Sequence, residues 1–137
     1  MKQIQDYFIL YKQAAWNKDI EGMTRLYDGN VVIYDMWTKG YQIGITEWAK
    51  EIHDWLSSLG EENVNVIFEM VAIHESGNVG FANAVITYQA ISTDNTILRS
   101  MKNRITIGFH KPGSDWKVIH QHTSTPINGE LQAILNF

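Results

Sequence analysis

Near the end of a 137-residue chain, the stretch WKVIHQHTSTP (Trp116 to Pro126) places two histidines two positions apart. Strand alternation puts Trp116, Val118, His120, His122 and Ser124 on one face, and Lys117, Ile119, Gln121 and Thr123 on the other. Imidazoles on one face can hold a ligand, move a proton or bind a metal. A metal would need a third donor from Asp35 or His110, and nothing in the spacing requires one, so the reading assigns no metal and no cofactor. One histidine is expected to bond a backbone carbonyl or Tyr34, and the other to line a pocket beside Arg104. A buried guanidinium must meet a carboxylate, carbonyls or a bound anion, because its desolvation costs several kcal/mol.

Asp35 lies in the run VVIYDMW, and it can cap a turn, pair with Arg104 or act as a carboxylate in a cleft. The last two roles exclude each other. A neighbouring guanidinium would hold Asp35 ionised with a lowered pKa, and so make it a poor proton abstractor. Trp37, two residues on, is placed to touch a ligand at the rim. Tyr11 shares an apolar stripe with Ile4, Phe8 and Ala15, so its ring reads as core and its hydroxyl needs a partner.

These residues are carried by helical patterns at 2–17, at KDIEGMTRLYDGN with Asp19 as cap, and at GITEWAKEIHDWLSSLG with Thr46 as cap and Gly60 as stop. The second half changes to period two, with strands over 63–74, 78–92, 97–110 and 115–125. Helices followed by an antiparallel meander give an α+β fold, and such long strands curl and enclose a cleft. A three-residue loop ending in Gly113 would pair His110 with Ser114, placing Arg104 opposite His120, Lys102 opposite His122 and Thr106 opposite Val118. Ile105, Ile107, Phe109 and Ile119 then face outwards, which predicts a homodimer through that surface.

Length and composition suit one domain, 1–137, with a core at about 4–126 and a tail at 127–137 that either forms a helical face over the cleft or frays. A net charge of −4 without a basic stripe argues against nucleic-acid binding. With no cysteine there is no disulfide or thiolate chemistry, and the broken apolar pattern of the N-terminus is no membrane span; a cytoplasmic location is expected.

From about Ile4 to Pro126, the helix, KDIEGM..LYDGNVVIYD, a second helix and the closing W.VIHQH.S.P together resemble the SnoaL-like branch of the nuclear-transport-factor-2-like superfamily. The resemblance implies a cone: a strongly bent antiparallel sheet wrapped on helices, with a pocket at the open end. Against ketosteroid isomerase, Tyr11 falls on the tyrosine that polarises the ketone and Asp35 on the aspartate that shuttles the proton, while KNRITIGF has no carboxylate for a second oxyanion donor. The calcium/calmodulin-dependent protein kinase II association domain is similar at Arg104, Trp116, His120, His122, Ser124 and Pro126, which implies an anion-accepting arginine. Two functions stay open. One is a small-molecule-binding domain acting as a cofactor-independent isomerase or lyase on a carboxylate or a flat hydrophobic compound. The other is a non-catalytic association module.

Overall fold

A computed structural model describes residues 1–137. The elements are α1 (Asp6–Asn17), α2 (Ile20–Thr24), β1 (Tyr27–Tyr34), β2 (Tyr41–Ile43), α3 (Ile45–Ser57), β3 (Asn63–Ser76), β4 (Val79–Ile91), β5 (Ile97–His110) and β6 (Lys117–Ser124). The six strands form one curled, unclosed sheet in the order β2-β1-β6-β5-β4-β3. β3 to β6 make the expected meander, while β1 joins β6 in parallel and carries the short β2 on its far side. Bulges at Glu69–Ala72 and Ala90–Ile91 interrupt the ladders, and such interruptions bend and twist strands this long.

The helices fill the concave side. Tyr7, Tyr11, Ala14 and Ala15 of α1 and Ile52 and Leu56 of α3 are buried against Ala82, Ala84 and Ile86 of β4 and Ile105, Ile107 and Phe109 of β5. Asp19 caps α2 as expected, its carboxylate accepting from Gly22 N at 3.0 Å. Thr46 does not cap α3. Gly44 holds that position at φ +86°, open to glycine without penalty, and Glu47 reaches back to accept from Ile43 N at 2.8 Å. No helix is long and apolar enough to cross a membrane.

The last hairpin differs most from the sequence expectation. His110 pairs with Lys117, so the loop runs over 111–116, and Phe109 lies opposite Val118. One residue, Ile119, is then bulged out, and His120 lies opposite Gly108, His122 opposite Thr106 and Ser124 opposite Arg104. An extra residue reverses the facing of everything after it. Trp116 and Val118 point into the core, as do Gln121 and Thr123 beyond the bulge, whereas His120 and His122 turn to the convex side.

Arg104, His120 and His122 do share a face, but it is the outer one, separate from Trp116 and Val118. Ile105, Ile107 and Phe109 are core residues, so they cannot form the outer apolar surface on which the dimer expectation was based. The tail is not helical. It turns back through an Ile127–Ala133 bridge, and Leu135 O accepts from Lys102 N at 2.8 Å where β5 runs past the end of β6.

Candidate functional site

The open end of the cone holds a cavity of about 540 Å³ between α3 and the concave face of β3 to β6. Its walls are aromatic. Helical spacing puts Trp48, Ile52, Trp55 and Leu59 on one side of α3 and its C-terminal turn, and Tyr11 and Tyr88 close the space from α1 and β4. Trp55 meets Tyr88 edge to face, with centroids 5.8 Å apart. Its inner end is polar: Asn103 from β5, and Gln121 and Thr123 from β6, all buried. Asp35, Trp37, Glu51, Arg99 and Leu135 stand at the mouth, and Trp37 remains 53% exposed.

Behind the inner end is a phenol network. Tyr7 and Tyr27 both donate to Gln121 Oε1, at 2.8 and 2.7 Å. With its oxygen so occupied, the Gln121 amide keeps its N–H groups for the cavity. Tyr11 and Tyr88 share one hydrogen bond of 3.0 Å between their hydroxyls. Two hydroxyls carry two protons and this bond uses one, so one donor is left over. Burial pushes the Tyr7, Tyr11 and Tyr27 phenols well above their ordinary range, and raises Tyr88 to about 12. Near neutrality all four are therefore hydrogen-bond donors and not bases.

Asp35 sits just past β1, where the chain turns back towards β2. Its Oδ1 accepts from Trp37 N at 3.1 Å, the turn-capping role considered for it, and its other oxygen has no protein donor. It makes no ion pair with Arg104, which is exposed on the opposite side of the sheet. The predicted competition between those two roles does not arise.

The structure thus brings Tyr11, Asp35 and Trp37 to one cavity and leaves the other candidates outside it. His120 bonds Val32 O through Nδ1 at 2.7 Å, and Tyr34 meets both His120 and His122 edge to face. Trp116 is packed in the core beneath Lys111. No cluster of three or more His, Asp or Glu side chains is arranged to hold a metal. Reading along the sequence missed Tyr88, Asn103, Gln121 and Thr123. The trace of them was there: polar residues at 103, 121 and 123 stand in register with apolar core positions, and the adjacent pair Val118–Ile119 marks the change of phase.

The sequence family described as the SnoaL-like domain matches residues 4–128. The chain belongs to that family. The SnoaL-like fold supports a role as a small-molecule-binding domain, and its solved relatives share the architecture at low identity. A nuclear-transport-factor-2-like protein of unknown function from Pseudomonas putida KT2440 superposes with a TM-score of 0.86 at 19% identity, covering 98% of this chain and 92% of that one. A nuclear-transport-factor-2-like superfamily protein from Salmonella enterica serovar Typhimurium LT2 gives 0.72 at 18%, covering 92% and 90%. A candidate calcium/calmodulin-dependent protein kinase II association domain from Xanthomonas campestris gives 0.74 at 12%, covering 88% and 84%. No curated protein matches this chain at a significant level.

Proposed function

We propose that this SnoaL-like domain binds a flat small molecule in the cone and acts on it as a cofactor-independent isomerase or lyase. The carrying observation is that one cavity holds a carboxylate with a free oxygen, Asp35, and a pair of buried phenols, Tyr11 and Tyr88, with a proton to spare. A carboxylate can take a proton from carbon beside a carbonyl, and a fixed hydroxyl can hold the oxygen on which negative charge develops. Tyr11 is almost fully buried and Tyr88 less so, so Tyr88 meets the ligand oxygen and Tyr11 supports it from behind. Gln121 and Asn103 supply further polar contacts at the same end. The anion-binding comparison with the kinase association domain depends on Arg104, which faces away from the cavity, and gives no reason to prefer the association reading.

The test is a panel of flat β,γ-unsaturated ketones, followed by absorbance of the conjugated product. Conversion by the purified protein is expected. Binding without conversion across the panel would leave a binding site and remove the acid–base reading.

The dimer proposal passes to different residues. On the convex face Val32, His120, Gly108, Phe81 and His74 are successive cross-strand neighbours, with Tyr34 beside them. Phe81 and Tyr34 are 47% and 45% exposed, on either side of Gly108 and His120. An apolar patch of this kind is a common site of self-association. Light scattering at micromolar concentration is expected to give a dimer that Phe81→Glu reduces to a monomer. A monomeric wild type would overturn it.

A further inference from the structure

The charged groups around the cavity are unequally satisfied. Arg99, the one cation in its lining, forks onto Glu62 through contacts of 2.6 and 3.1 Å and is neutralised there. Asp35 and Glu51 line the same space, and neither belongs to any ion pair. The rings of Trp37, Trp48, Trp55 and Tyr88 line the same cavity. At the inner end Asn103 is 3% exposed and its Oδ1 meets no donor. A buried acceptor without a donor is uncommon in a folded protein, and a ligand N–H or O–H would satisfy it.

Three ligand classes can be weighed against that lining. An anion is repelled by Asp35 and Glu51 and finds no unpaired cation. A neutral hydrocarbon covers the aromatic walls but leaves both carboxylates and the Asn103 oxygen unanswered. A cation on a flat body answers the negative mouth, because aromatic rings and carboxylates attract positive charge together. A donor at its other end meets Asn103 Oδ1, and an acceptor on the same body would meet the unpaired Trp48 N–H.

Taking the cavity as the ligand site proposed above, we infer that it selects organic cations. The ligand is a protonated or quaternary amine on a flat apolar body, with its charged head at the mouth beside Glu51 and the tryptophan rings, leaving Asp35 unpaired as the base. A hydrogen-bond donor at the other end reaches Asn103 Oδ1.

Isothermal titration of the full chain with three matched probes tests this: N-methylquinolinium, its neutral isostere 1-methylnaphthalene, and the anion 1-naphthoate. The cation is expected to bind about tenfold or more tightly than the neutral probe, with the preference shrinking as salt is added. Glu51→Gln, on the exposed side of α3, should weaken the cation by about three- to tenfold and leave the neutral probe unchanged. Equal affinity for cation and neutral probe, tightest binding of the naphthoate, or no effect of Glu51→Gln would overturn cation selection while leaving the cavity as the ligand site. If no probe binds to protein that is folded by circular dichroism, the cavity reading itself fails, and cation selection fails with it.

Discussion

Replacing Gln121 by Leu is expected to destabilise the fold by about 2–6 kcal/mol in urea unfolding, a large share of a domain's total stability. The substitution is close in volume and apolar, so at a buried strand position a pattern-based reading would treat it as mild. The hydrogen bonds say otherwise. Gln121 is 2% exposed, and its single oxygen accepts from both Tyr7 and Tyr27. Leucine leaves two buried hydroxyls without acceptors, each costing about 1–3 kcal/mol. Tyr27→Phe removes a donor along with its bond and leaves Gln121 paired to Tyr7, so about 1 kcal/mol is expected. The triple variant Tyr7→Phe, Tyr27→Phe, Gln121→Leu takes away the stranded groups together, and should be more stable than Gln121→Leu alone. A Gln121→Leu protein that unfolds at the same urea concentration as Tyr27→Phe would contradict the network.

The second large effect is on turnover. Asp35→Asn is expected to lower kcat on any ketone that the protein converts by about 10²–10⁴-fold, because the amide cannot accept the proton. Structure should survive: the amide oxygen can still accept from Trp37 N, and nothing else in the protein bonds the Asp35 side chain. Affinity for an uncharged ligand should change little, separating chemistry from binding. Tyr88→Phe removes the hydroxyl proposed to meet the ligand oxygen and should cost about 10²–10³-fold. An Asp35→Asn protein that turns over at the wild-type rate would remove Asp35 as the base.

The fold was legible because its strongest signals are local. The 3.6-residue period of α1 and α3 and the two-residue period from Asn63 onward survive any detail of pairing. The short β2, three residues after a turn, was too brief to leave a pattern. The site was only half legible, and the reason lies in the last hairpin. Which side of a sheet a residue faces depends on counting without error from a known point, and two odd shifts intervened. The loop is three residues longer than the tight turn expected at Gly113, and Ile119 adds one more. The loop shift separates Trp116 and Val118 from Arg104, and the bulge restores the shared face of Arg104 with His120 and His122. Trp116, an apolar anchor, was the wrong reference for the histidines. No hairpin count stands between Asp35 or Tyr11 and the cavity they line; their positions follow from a strand end and a helix stripe.

Gln121 and Thr123, and not His120 and His122, line the cavity proposed to hold the ligand. Side-chain amide and indole resonances report this directly while any naphthalene-sized compound that binds is titrated in. The largest shifts are expected at the Gln121 and Asn103 amides and at the Trp37, Trp48 and Trp55 indoles, with His120, His122 and Arg104 unmoved. Shifts concentrated at those histidines and that arginine, with the amides and indoles still, would contradict it.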